Sequence, residues 1–346
     1  MHAHTAAAAT RLPPPVNLAR ARPVVRSAAH RVEPPPSRFA LDVLEGLAQR
    51  QRSIPCTWLY DHRGSQLFEQ ITEVPEYYPT RTEIGWLRRA APDIAAAAGS
   101  GAVVFELGSG SSRKTPLVLG ALDRPAGYVP IDISERFLGE SVRPLAARFP
   151  GLPIHPVVAD FNELQALPLP PGVRGGRRVI FFPGGTIGNL DPEDAARLLE
   201  RLGRLAGLGA MLVVGIDHTR DPAALVAAYD DRAGITAAFN KNLLARINRE
   251  LDGDFDLDAY THRARFDAAE PRVEMYLVAT RAQRVHVLDW AYDIAAGESI
   301  HTENAYKPSL FQFLALAHRS GWAQRRLWMG ETPGYALHLL ENVLVL

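Results

Sequence analysis

Three acids stand directly behind apolar runs in the middle of this chain: Glu106 in "VVFELGSGSSRKT", Asp132 in "YVPIDIS" and Asp160 in "VVADFN". Each sits where a buried strand would hand over to a loop, and the first is followed at once by the glycine turn Gly108-Ser109-Gly110. A turn of this kind at the end of a strand offers open backbone to a ligand. A triphosphate loop needs glycine immediately before its lysine, so that backbone amides can wrap the phosphates. Arg113 fills that place before Lys114, and the span after Gly108 is too short, so that reading fails. A dinucleotide fingerprint needs a third glycine three residues beyond the second, and Arg113 stands there too, which weakens that reading.

S-adenosylmethionine, which carries no phosphate, makes different demands at the same point of a sheet. It needs an acidic strand end and open backbone beside its amino-acid tail, a carboxylate for the ribose diol, and an acid beside a ring for the adenine. Glu106, Gly108, Ser109 and Gly110 supply the first, Asp132 the second, and Asp160 with Phe161 the third. Any one of these acids alone is as readily a helix cap or a solvated turn. In succession they favour a sulfonium cofactor.

The elements that must hold these residues follow from the apolar patterning. The runs "VVFEL", "YVPIDI", "HPVVADF", "VIFFPG" and "AMLVVGID" alternate with helical or loop stretches, the signature of βαβ units on a mostly parallel sheet. Among the helices, Asp191 is read as a cap, Pro192 takes the first turn, and Ala195, Leu198, Leu199, Leu202 and Leu205 share a face. Ahead of this region, "RFALDVLEGLAQ" reads as a short helix, followed by a helix, a turn rich in proline and tyrosine, and a second helix stopped by Gly99. Residues 218 to about 270 read as helix and loop. "VEMYLVATRAQRVHVLDWAYDI" reads as two strands with a turn near Arg281 and Ala282, and a helix and a strand pair close the chain. The division expected is a Pro/Ala/Arg-rich disordered extension (1–37), N-terminal helices (38–80), and a doubly wound domain in two parts (81–217 and 308–346) interrupted by an inserted α+β domain (218–307).

Composition bounds the partners. At 346 residues and 47% apolar content the chain buries one large core or two smaller ones. Thirty-eight basic residues balance 38 acidic ones, leaving no field to draw nucleic acid or an anionic membrane, so a small molecule is the expected partner. Cys56 is the only cysteine, which excludes an internal disulfide and fits a reducing cytoplasm. No apolar run reaches the length of a membrane span, the N-terminus lacks the apolar core of a secretory signal, and no metal cluster is expected. A monomer is the expected state.

The stretches "YDHRGSQLFEQITEVPEYYPTRTE", "FELGSGSSRKT", "GGTIGNLDPEDA", "AYDDRAGITAAFNKNLLARINREL" and "HTENAYK" resemble the S-adenosylmethionine-dependent L-histidine Nα-methyltransferases of ergothioneine biosynthesis, from about Arg38 to the C-terminus. The resemblance implies a Rossmann-like methyltransferase domain, an inserted substrate domain, and stepwise trimethylation of the histidine α-amine to hercynine. It implies cofactor contacts at Gly108, Lys114, Asp132, Asp160 and Phe161. Tyr77 matches a tyrosine at the junction of cofactor and substrate, and Tyr60 and Phe68 would line the pocket near the amine. Asn189 and Tyr229 match the pair that grips the amino-acid backbone. Tyr60 and Tyr77 are thus the residues implied at the reacting centre. Met275 is counted with the substrate-binding residues, although core packing is the ordinary role of a methionine on an alternating strand.

The chain departs from this family at one recognition position. The family reads the imidazole with a glutamate and commonly a serine two residues later; here Glu303 is followed by Ala305. A lost neutral hydrogen bond is worth roughly 0.5 to 1.5 kcal/mol, whereas one to a charged group is worth roughly 1.5 to 3. Histidine stays the first substrate, and another aromatic or modified amino acid is the alternative. A nicotinamide oxidoreductase lacks its third glycine here, and an amino-acid sensor would not need the Gly108, Asp132 and Asp160 set.

Overall fold

The computed structural model describes residues 21–23 and 37–344. Apart from Ala21–Pro23, the extension expected at residues 1–37 lies outside the described residues up to position 36. Ala21–Pro23 pairs antiparallel with Trp290–Ile294.

A seven-stranded sheet organises the larger part of the molecule. Val157–Val158, Gly127–Asp132, Val103–Leu107, Arg178–Phe182 and Met211–Asp217 lie side by side in that order and all run parallel. Tyr335–Asn342 then joins antiparallel to Met211–Asp217, and Trp322–Met329 pairs antiparallel to it on the outer edge. Four of the parallel strands are near-continuous apolar runs because both faces are covered. On one face Leu198, Leu199 and Leu202 of the helix Pro192–Ala206 pack on Phe105, Ile180 and Leu212. On the other, Leu87, Ala90 and Ile94 of Tyr78–Ala98 pack on Val104, Phe181 and Val213.

Chain direction changes between Val103–Leu107 and Arg178–Phe182: from the first strand the chain builds one way across the sheet, and from the second it builds the other. The crevice outside the carboxyl ends of these two strands is where such sheets bind ligands. This is the Rossmann-like arrangement that the alternating runs predicted.

Above that edge stands a second core. Phe39, Val43 and Leu47 of the helix Arg38–Ala48 and Leu67 of His62–Ile71 pack with Phe239, Leu243, Leu277 and Ile300. The last four of these belong to Ile235–Glu250 and to a sheet ordered Arg52–Ser53, Ser299–Tyr306, Arg272–Ala279, Tyr260–Asp267.

Three local expectations need correction. Tyr260–Asp267, read as loop, is a strand: Tyr260, His262, Ala264 and Phe266 turn inward in alternation with Thr261, Arg263 and Arg265, and the histidine and alanine on the inner face leave the apolar signal weak. The region read as two strands holds three, because Leu288 takes a positive φ of 50° and turns Gln283–Val287 back onto Trp290–Ile294 in a separate sheet. Asp191 occupies the N-cap position of Pro192–Ala206 without a side-chain capping bond, since its carboxylate accepts the Tyr306 hydroxyl at 2.8 Å instead.

Candidate active site

The glycine turn closes directly behind Val103–Leu107. Gly108 has φ +62°, a conformation open to glycine at little cost, and a side chain there would meet the Phe161 ring at 3.8 Å. Asp132 ends the neighbouring strand and accepts Gly110 N–H at 2.9 Å through one oxygen and Ser134 N–H at 2.9 Å through the other. Burial raises its carboxyl, and these backbone bonds oppose the rise. Asp160 caps the short turn Phe161–Glu163, giving one oxygen to Asn162 N–H at 2.8 Å and leaving the other without a backbone donor.

One cavity is lined by Gly108, Gly110, Asp132, Asp160 and Phe161 from the sheet and by Tyr60, Ser65, Phe68 and Glu69 from the N-terminal helices. Its chemistry fits S-adenosylmethionine. Two carboxylates keep lone pairs for hydroxyl and amine donors, an aromatic ring faces the turn, and the glycines leave room for the amino-acid tail.

Glu106 does not belong to this set. It is buried in the layer behind the strand, accepting Thr115 Oγ1 at 2.7 Å and Tyr128 O–H at 2.6 Å, and burial pushes its carboxyl up to about 7. Alternation along the strand turns it away from the crevice, so its work is to fix the helix start at Thr115.

Ser109 and Lys114 are likewise absent from the cavity lining. Ser109 is buried with no partner for its hydroxyl. Lys114 pairs with the fully buried Glu83 at 2.5 Å, and both Glu83 oxygens accept Gly184 N–H, at 3.0 and 2.9 Å. The glycine turn is thereby tied to the Gly184-Gly185 turn of the next cavity.

That second cavity adjoins the first. Tyr60, Phe68, Thr186 and Asn189 line both, and Tyr77, Tyr229, Phe239, Met275 and Glu303 complete its wall. Asn189 ends the short turn Thr186–Asn189 that follows Arg178–Phe182, so the switch point of the sheet delivers it to the junction. The aromatic rings support one another edge-on: Tyr60 on Phe68 at 5.7 Å and on Phe239 at 5.4 Å, Tyr77 on Phe68 at 6.2 Å and on Tyr229 at 6.3 Å. Burial, joined at Tyr60 and Tyr229 by the negative field of Glu303, pushes all three phenols well above their ordinary range. They act as protonated hydroxyls.

Glu303 owes its position to a β-bulge. Ser299–Tyr306 pairs with Arg272–Ala279 in regular register up to His301 and again from Glu303, with Thr302 inserted between and its Oγ1 donating to Met275 O at 3.1 Å. Residues of a strand alternate in facing, so with Thr302 held in the ladder, unbroken alternation from Ile300, buried in the second core, would put Glu303 on the opposite face. The bulge turns Glu303 back inward. There it is 5% exposed, its Oε2 has no hydrogen-bond partner, and burial pushes its carboxyl up to about 8 against the opposing pull of Lys307. Ala305 follows on the same face but outside the cavity lining, in a small apolar cluster with Leu225, Ala264 and Val273.

Sequence reasoning missed Thr186, Phe239 and Glu83. Phe239 sits on the apolar face of a helix and carries no mark distinguishing it from core. Glu83 is one acid among many until the fold buries it.

A Rossmann-like sheet with acids at successive strand ends, opening onto a cavity that adjoins an aromatic amino-acid-sized pocket, defines an S-adenosylmethionine-dependent methyltransferase. The comparisons with known proteins agree. A family model described as "Histidine-specific methyltransferase, SAM-dependent" matches residues 39–342. Over 304 residues the chain is 42% identical to histidine N-alpha-methyltransferase of Mycolicibacterium smegmatis, covering 86% of this chain and 93% of that one. The identity to histidine N-alpha-methyltransferase of Mycobacterium tuberculosis is also 42% over 304 residues, with the same coverage. Over 206 residues it is 34% identical to ergothioneine biosynthesis protein 1 of Neurospora crassa, covering 59% of this chain and 23% of that protein. This chain belongs to the histidine-specific, S-adenosylmethionine-dependent methyltransferases.

Proposed function

We propose that the enzyme trimethylates the α-amine of L-histidine, giving the betaine hercynine, and so serves ergothioneine biosynthesis. The observation that carries this reading is Glu303, a buried carboxyl group with an unpartnered oxygen and the one acid among the residues lining this largely aromatic pocket. A buried unpaired acceptor is costly, and an imidazole N–H is a flat, neutral or cationic donor of the right size to relieve it.

The remaining residues divide the rest of the substrate. Asn189 and Tyr229 hold the carboxylate end, and Tyr60 and Tyr77 flank the amine at the junction with the cofactor cavity. Gly108, Asp132, Asp160 and Phe161 hold S-adenosylmethionine, with Ser109 and Lys114 supporting the turn from behind. The cofactor supplies an electrophilic methyl group that the neutral amine takes by in-line displacement. The protein's contribution is to fix amine and methyl in near-attack geometry and to keep competing nucleophiles away. Because the phenols are held protonated, none serves as the base; Tyr60 orients the amine lone pair and the released proton leaves through solvent.

Calorimetric titration of L-histidine and L-phenylalanine, each with S-adenosylhomocysteine saturating, tests the reading. Histidine should bind at least about tenfold more tightly, and Glu303→Ala should erase that preference. Equal binding of the two amino acids by the unaltered enzyme would contradict it.

A further inference from the structure

Behind Tyr229 lies a buried ion pair that the substrate reading does not use. Lys307 and Asp217 are 3% and 5% exposed, and their charged ends lie 3.3 Å apart. The lysine Nζ also donates to the Tyr229 hydroxyl oxygen at 2.9 Å and lies 4.8 Å from the centre of its ring. Asp217 is fixed in turn by the Tyr78 hydroxyl at 2.6 Å and by Thr219 N–H at 3.1 Å. The lysine backbone is pinned on both sides, its N–H by Pro271 O at 2.7 Å and its carbonyl by the Arg220 guanidinium.

We propose that Lys307 is a positioning residue that makes Tyr229 the receptor for the substrate carboxylate. An ammonium has three protons and no lone pair, so at this contact the tyrosine oxygen must accept, and its own proton is free to point into the cavity. A hydroxyl that accepts from a cation is a stronger donor in turn. The pair is neutral as a whole, but the lysine is its nearer member to Tyr229, so the cavity feels the positive end. Buried ion pairs seldom add net stability over apolar residues of similar size, so the fold alone gives little reason for this one. An amino-acid carboxylate on the far side of Tyr229 does.

This inference rests on the reading that Tyr229 holds the carboxylate, and the experiment separates the two. L-Histidine and L-histidinamide share ring and amine and differ in the carboxylate; each is titrated with S-adenosylhomocysteine saturating, which also reports an intact cofactor site. In Asp217→Asn/Lys307→Met, which removes both charges together, the preference for histidine over histidinamide should fall about tenfold, the scale of one charge-assisted hydrogen bond. The fall should come from weaker histidine binding, with the histidinamide affinity held within about twofold, and in turnover it should raise KM while leaving kcat within about threefold. Lys307→Gln, which keeps a donor to Tyr229 but leaves Asp217 without its cation, should move the preference the same way and carries the test if the double variant does not fold. Parallel weakening of both ligands, or an unchanged preference, overturns the role of Lys307. Tyr229→Phe distinguishes the failures: if it keeps the full preference, the reading of Tyr229 itself falls, and if it loses the preference while the lysine variants retain it, only Lys307 is excluded.

Discussion

Glu303 and Met275 face each other across antiparallel strands, and both side chains line the substrate cavity. Thr302 is inserted between two regular stretches of pairing. Deleting Thr302 closes the ladder with Glu303 still opposite Met275, so plain alternation from Ile300 keeps the carboxyl on the inner face. The folded deletion variant should bind S-adenosylhomocysteine as the unaltered enzyme does and keep the histidine binding that Glu303→Ala loses. Loss of histidine binding in a folded deletion variant would show that the bulge itself, and not the pairing with Met275, aims the carboxyl.

The pH dependence of stability has a defined sign above neutrality. Glu303, pushed up to about 8, and Glu106, pushed up to about 7, both hold protons in the folded chain that the unfolded chain has released. A raised carboxyl contributes stability below its unfolded pKa and loses it as pH climbs through the folded value. The shifted histidines, His218, His262, His301 and His338, are all lowered and so titrate below this window. The melting temperature of the ligand-free enzyme should therefore fall from pH 7 to 8.5 and then level. Glu303→Gln should flatten that slope, at up to about 1.4 kcal/mol for each unit of pKa removed. An identical slope in the variant would place the titrating group elsewhere.

Tyr60→Phe leaves the ring in its edge-on contacts with Phe68 and Phe239 and removes only the hydroxyl. If that hydroxyl orients the amine, kcat should drop about two- to twelvefold, the worth of one neutral hydrogen bond, with histidine KM little changed. Unchanged turnover removes Tyr60 from the reaction.

Ala305→Ser would bury a hydroxyl in the apolar cluster of Leu225, Ala264 and Val273. An unpartnered buried hydroxyl costs about 1 to 3 kcal/mol, and a substrate ring that reached it would return part of that cost. Because Ala305 stands outside the cavity lining, the ligand-free variant should melt below the unaltered enzyme and histidine should raise both melting temperatures by the same increment. A larger increment in the variant would show that the substrate ring reaches position 305.

The parallel sheet and its acids were legible in the sequence because both-face burial writes continuous apolar runs, and a strand end followed by Asp or glycine is visible without a structure. Asp132, Asp160 and Phe161 came from that logic alone. Glu106 failed by the same logic, since strand alternation decides which acid faces the crevice and the run "VVFEL" has no polar partner to fix its parity. The inserted region was harder. Tyr260–Asp267 hides behind charged residues, and the bulge at Thr302 leaves no local mark because threonine is an ordinary strand residue. Glu303, Asn189 and Tyr229 were found by resemblance, while the Lys307–Asp217 pair joins positions that only the folded chain brings together.

The most direct measurement is mass spectrometry of a reaction containing the enzyme, S-adenosylmethionine and all common amino acids in equal amounts. The account predicts one, two and then three methyl additions on histidine, with the other amino acids unmodified. Methylation of a different amino acid while histidine is ignored, or addition at the imidazole instead of the α-amine, would contradict it.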